Sequence, residues 1–138
     1  MLYQAHLIMF FGMVSFHLFV MLPSMVYRVS DYYLSLGQLY MAMMMGFGMV
    51  LLEAVMHPLP PSLLLLAGAG MVGMVVLYRW QVGVSGEQYV REMIPHHSMA
   101  ILTSTKQETS RNPKIAQLAH LIRQAQELEI QEMKDVLL

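Results

Sequence analysis

Cysteine is absent, which removes disulfides, thiolate metal sites and cysteine catalysis together. Charge is nearly absent from the first part of the chain: of 8 Lys and Arg and 9 Asp and Glu, only Arg28, Asp31, Glu53 and Arg79 precede Trp80. A basic excess is also missing, since the formal net charge is −1, so there is no electrostatic case for nucleic acid as a partner. Enzyme chemistry is not expected, because the chain has no Gly-rich phosphate loop, no nucleophile with a positioned base and no Glu-x-x-His pair of the di-iron type. With 57% hydrophobic residues and 12% charged ones, the chain is no disordered tail.

What the sequence does have is apolar length and methionine. Residues 5–27, 37–57 and 62–80 are apolar runs that approach or exceed the ~20 residues needed to cross a hydrocarbon core, and they predict three transmembrane helices. The first four residues hold no basic side chain and no small-x-small cleavage site follows, so the first run is expected to be a retained span, not a signal peptide. Pro58-Leu59-Pro60-Pro61 cannot continue a helix and predicts a stiff turn. Tyr27, Tyr32, Tyr33, Tyr78 and Trp80 fall near span ends, where amphipathic rings prefer to sit. Three spans place the first loop and the tail on one side, with Arg28, Arg79 and Arg91, so the positive-inside rule points the tail to the cytoplasm of a multi-pass protein in the cell (inner) membrane.

From residue 81 onward the composition becomes that of a soluble helix pair. Ser85-Gly86-Glu87-Gln88 has the Ser-x-x-Gln form of a capping box and predicts a helix start. Asn112-Pro113 predicts a second start, followed by Ile115, Leu118, Ile122, Ala125, Met133 and Val136 at broadly helical spacing. The short link between these helices predicts an antiparallel hairpin. The fold expected is therefore all-α: residues 1–80 in the bilayer and residues 81–138 as an extramembrane helical hairpin. Two such helices bury too little surface to stand alone, so two hairpins are expected to pair as a four-helix bundle in a homodimer or larger homo-oligomer, or one to dock on another protein.

The strongest chemical signal lies in Glu92-Met93-Ile94-Pro95-His96-His97-Ser98-Met99. Helical spacing puts Met93 and His97 on one stripe and makes Met93, His96 and Met99 neighbours. Imidazole with thioether suits copper, above all soft Cu(I). Glu92, four residues before His96, is placed to hold its ring, and Pro95 either kinks the helix or begins it. On the second tail helix Glu129 and Met133 are one turn apart, with Gln126 a turn earlier. The metal candidates are thus His96, His97, Met93, Met99, Met133 and Glu129, against the alternative that both histidines are ordinary helix residues.

Met93-Ile94-Pro95-His96-His97-Ser98-Met99-Ala100-Ile101 together with the stretch from Gln126 to Met133 resembles the signature of the family known as domain of unknown function 305. That resemblance implies a ferritin-like helical architecture, three spans ahead of the hairpin in some members, and a copper association that in soluble members is periplasmic. Related membrane members tend to place Met-Cys one turn after the histidine pair, where this chain has Leu102 and Thr103.

Within the spans His6, Met9, Met13, His17, Met21 and Met25 recur at three- or four-residue steps, as do Met41, Met45, Met49, Glu53 and Met56, with a shorter stripe of Met71, Met74 and Tyr78. Such thioether ladders suit passage of Cu(I), and Met41-x-x-x-Met45 resembles the motif of the trimeric three-span copper transporters. Their Gly-x-x-x-Gly is not reproduced by Gly68, Gly70 and Gly73. The competing reading is that methionine stripes are packing surfaces between helices. His17 and Glu53 are expected to face the bundle interior, since lipid exposure costs several kcal/mol, and His6, Met9, Glu53, Met56 and His57 to gather near one membrane surface. For Glu53 and His57 the alternative is a place in the interface itself.

The function expected is membrane-anchored copper binding, for sequestration or handling of the metal. The alternatives are a Cu(I) channel along His6, Met9, Met13, His17, Met41, Met45, Met49, Glu53 and His57, and a structural subunit of a membrane complex.

Overall fold

The computed structural model describes residues 2–138; Met1, the first residue of the stretch read as a retained amino terminus, lies outside them. The chain is all-helical, with no strand among the described residues: α1 (Leu2–Phe16), α2 (Leu22–Met25), α3 (Leu36–Met56), α4 (Pro61–Arg79), α5 (Gly86–Gln107) and α6 (Pro113–Val136). Three helical stretches, Gln4–Met25, Leu36–Met56 and Pro61–Arg79, are long and apolar enough to cross a membrane. They match the runs expected from sequence to within two residues at either end.

Local chemistry explains where these helices begin, bend and stop. Between α1 and α2 the backbone widens into a π-helical turn, His17–Met21. Pro23 follows it, has no N–H to donate and crowds the carbonyl four residues earlier, a common cause of such irregularity. Pro61 occupies the first turn of α4, where a missing N–H is harmless. At its far end α4 closes with a six-to-one bond from the Val82 N–H to the Leu77 carbonyl (3.0 Å) and a five-to-two bond from Gln81 to Tyr78 (3.2 Å). Gln81 takes the left-handed conformation this closure requires (φ 51), and its side-chain amide donates back to the Tyr78 carbonyl at 2.7 Å.

The chain divides into two compact units, and the division is not a single cut near residue 80. One unit is Met1–Met21 with Leu36–Val84; the other is Leu22–Ser35 with Ser85–Leu138. In the first, α3 runs antiparallel to α1 and α4. The fully buried line on α3 is Gln38, Ala42, Gly46 and Val50, four residues apart, while Met41, Met45 and Met49 flank it half-buried. Small residues take the helix contact because they let backbones approach. A Cβ on Gly46 would meet the Phe10 ring at 2.8 Å, and one on Gly70 would meet the Phe47 ring at 2.5 Å, whereas Gly73 faces open space. Gly70→Ala is therefore expected to destabilise this unit by about 1–3 kcal/mol through overpacking. Gly73→Ala should be neutral or slightly stabilising, because alanine restricts the unfolded chain. Thermal unfolding of the two variants in detergent checks the contrast; equal melting temperatures would refute it.

In the second unit both expected caps form. Ser85 Oγ accepts from the Gln88 N–H at 3.3 Å, and Asn112 Oδ1 accepts from Lys114 N–H at 3.0 Å. α5 and α6 pack antiparallel around Ile94, Ile101 and Ile130, joined by Tyr33, Val90, Met133 and Leu137. Near the turn Arg123 Nε donates to Glu108 Oε1 at 2.6 Å, and His120 lies 3.3 Å from the same oxygen. Arg123 holds the Glu108 carboxyl below its ordinary value of 4.5, so this clasp contributes above that pH and is lost as acidification protonates Glu108. The packing corrects the stripe expected on α6. Ala119 and Ile130 are its buried residues, while Ile115, Leu118, Ile122 and Val136 are exposed. α6 is apolar on more than one face, and a hairpin of two helices can cover only one of them.

Candidate metal site in the helical hairpin

Met93 and His97 are one turn apart on α5, and Glu129 and Met133 are one turn apart on α6. The antiparallel register brings the two pairs together around a pocket of about 410 Å³, which Tyr89 and Glu132 also line. His97 Nδ1 lies 2.8 Å from the Met93 carbonyl oxygen, so Nδ1–H donates there. That fixes the ring and turns Nε2 toward Glu129 Oε2, 2.9 Å away. A backbone carbonyl on the remote nitrogen is the usual way a ligating histidine is oriented. Gln126 Nε2 donates to Glu129 Oε2 at 3.0 Å and orients the carboxylate in turn.

Not every candidate joins this group. His96 is exposed and Met99 is half-buried, and neither lines the pocket. Glu92 does not hold His96: it is buried, and Ser35 Oγ lies 3.5 Å from its Oε2. Pro95 sits buried inside α5 without beginning it, and leaves the Arg91 carbonyl without its backbone donor. Among the described residues no three His, Asp or Glu side chains cluster as a metal cage. The donor side chains that line the pocket are the His97 imidazole, the thioethers of Met93 and Met133 and the carboxylates of Glu129 and Glu132; imidazole and thioether are donors that suit a soft ion.

In the helical unit of residues 36–84 and the chain before Met21, His6 and Glu53 are brought together, with Nδ1 2.9 Å from Oε2 and the imidazole 4% exposed. Glu53 is thus paired with His6 within the unit. His17 is buried, with neither ring nitrogen hydrogen-bonded. Met9, Met13, Met41, Met45 and Met49 are half-buried, while Met56 and His57 are exposed.

Sequence reasoning missed the residues that fix α5 from behind. Ser98, beside His97, is fully buried; its hydroxyl donates to Asp31 Oδ2 at 2.7 Å and accepts from the Tyr27 N–H at 2.8 Å. Asp31 is 2% exposed, and its other oxygen receives Lys134 Nζ of α6 at 2.6 Å. One carboxylate from the 22–35 segment therefore ties both hairpin helices together. A signal was available, since Asp31 is one of only two acids before Trp80. Burial also raises the Tyr32 phenol above its ordinary range.

Fold and site define a helical hairpin protein with a histidine-methionine-carboxylate pocket, preceded by three long apolar helices. Residues 69–137, half of the chain, match the family described as "Domain of unknown function (DUF305)". An uncharacterized protein of Acanthamoeba polyphaga mimivirus is 34% identical over 115 residues, which cover 79% of this chain and 75% of that one. The chain belongs to the DUF305 family. The viral similarity exceeds the family segment and so extends into the apolar helices. No solved structure matches the chain.

Proposed function

We propose that this is a multi-pass membrane protein whose hairpin binds a soft metal ion, Cu(I) foremost, for sequestration or handling. The observation that carries the reading is the convergence of His97 Nε2, Glu129, Met93 and Met133 on one pocket, with the histidine tautomer set by the Met93 carbonyl. Support for the membrane topology comes from the second unit. Three crossings put the 22–35 segment and the tail on the same side, and these two segments pack together. The basic residues near the spans favour the cytoplasm for that side, whereas the family resemblance points to the periplasm; protease accessibility of the tail in sealed vesicles separates the two. The exposed Ile115, Leu118, Leu121 and Leu128 of α6 suit pairing of two hairpins in a homodimer, and a strictly monomeric species in mild detergent would overturn that part.

A Cu(I) path along the spans is the weaker reading. The buried line of α3 is Gln38, Ala42, Gly46 and Val50, and the methionines flank it.

Cu(I) titration of the detergent-solubilised chain against a chromogenic chelator tests the metal site. His97→Ala should weaken binding at least about tenfold. His96→Ala should leave it within about twofold of the parent, because that ring lies outside the pocket. Equal affinity for the parent and His97→Ala would make the histidine structural.

A further inference from the structure

α6 keeps an apolar face that the hairpin does not use. Towards α5 it turns Ile130, Met133 and Leu137. Leu118, Leu121, Ala125 and Leu128 lie about 130° round the helix from these and are exposed, the leucines by 54–69%. Steps of three, four and three residues separate the four, and a further step of four reaches Glu132. That is the a and d spacing of a coiled-coil seam. α6 is 24 residues long, about 36 Å or just over three heptads. Along one flank of the seam Gln117, Gln124 and Gln131 recur every seventh residue, so no like charges oppose the approach of a second helix there.

Charge at the two ends of the seam decides its direction. The beginning of α6 presents Arg111 and Lys114, and its end presents Glu132 and Asp135; Lys134, at that same end, is engaged by Asp31 at 2.6 Å. Two parallel helices would set Glu132 against Glu132 and Lys114 against Lys114 across the seam, which is repulsive. Antiparallel helices reverse this. With Leu121 of one copy on Ala125 of the other, Leu118 falls on Leu128 and Lys114 falls on Glu132, and a two-fold axis makes each of these pairs twice. The layers beside the axis then set a large side chain against a small one, which lets the helices close up.

We infer that a second copy of this chain covers this face, α6 against α6 in antiparallel register, with Leu118 on Leu128, Leu121 on Ala125 and Lys114 on Glu132 of the other copy. The inference rests on the reading of the hairpin as a homodimer and adds to it the surface, the direction and the register of pairing. It does not depend on the metal site, whose residues lie on the side of α6 turned to α5.

The chain has no cysteine of its own, so introduced thiols report on the pairing alone. Full-length Leu118→Cys and Leu128→Cys chains, carrying different tags, are co-expressed and their membranes oxidised with diamide. In the antiparallel register the thiols of a mixed pair lie opposite each other. Two copies of either variant hold theirs ten positions apart, about 15 Å along the axis, which a disulfide cannot span. The mixed disulfide should therefore exceed either same-variant product at least about fivefold. An excess of same-variant products would mean parallel pairing and overturn the proposal. A parent chain that is dimeric by light scattering in mild detergent, but gives no disulfide in this mixture, would be joined through another surface; that overturns the register and spares the homodimer. A strictly monomeric parent chain overturns both. Leu121→Glu alters a side chain that is 54% exposed in the single chain, and should weaken dimerisation at least about tenfold with helix content unchanged. Undiminished dimerisation of that variant would also overturn the proposal.

Discussion

Lys134→Met is expected to destabilise the hairpin unit by about 3 kcal/mol, because it strands a carboxylate. Asp31 is 2% exposed and would keep only the Ser98 hydroxyl as a side-chain donor. The reverse cut should be milder. In Asp31→Asn the amide can still accept from Ser98, and the Lys134 side chain, already 24% exposed, can turn its ammonium to water. That variant should lose about 1 kcal/mol. The double variant should lose less than the sum of the two, because each change removes the charge the other would leave alone. Hydrogen exchange of the full chain in detergent, read on peptides from residues 22–35 and from α5, reports the order directly. Equal losses for the two single variants would mean that the pair is solvated and the segment held by packing alone.

Ile94→Ala should cost about 2–5 kcal/mol, by loss of buried surface and by the cavity left between the helices. Ile94 is completely buried against Ile101 and Ile130, and a hairpin this small has little other core to relax into. Ile122→Ala, at a position 37% exposed, should cost well under 1 kcal/mol in the monomer. Ile94 also lies one turn before His97 on α5, so its loss should loosen the approach of His97 to Glu129 and weaken Cu(I) binding as a secondary effect. The same exchange experiment, read on α5 and α6 peptides, separates the two variants; comparable protection in both would show that the apolar stripe on the far side of α6 is buried in solution, as pairing of two hairpins requires.

Much of this architecture was legible from residue order. Long apolar runs and the Pro-rich turn marked α3 and α4, Ser85 and Asn112 marked the hairpin starts, and the one-turn spacings of Met93 with His97 and of Glu129 with Met133 singled out side chains that line one pocket. Three things were not legible, each because it is decided by packing across the chain. Which stripe of α6 faces α5 depends on interhelical register, and Ile115, Leu118 and Ile122 fit a buried pattern as well as Ala119 and Ile130 do. The π-turn at His17 follows from a proline six residues on, a signal that reads equally well as a plain kink. The side to which Glu92 turns was hidden because the 22–35 segment read as a connection between spans. Ser35 and Asp31, on that segment, meet α5 through side chains far away in sequence.

That segment also constrains the timing of assembly. Asp31 and Lys134 are 103 positions apart, and the first is synthesised long before the second. Until α6 emerges from the ribosome, Asp31 must wait in water beside an incomplete surface, and the Ser98 hydroxyl with it. Contacts of such sequence separation close slowly. The unit that holds the pocket is therefore finished last, after the apolar helices have been made, and Met93, His97, Glu129 and Met133 come together only once α6 has been synthesised.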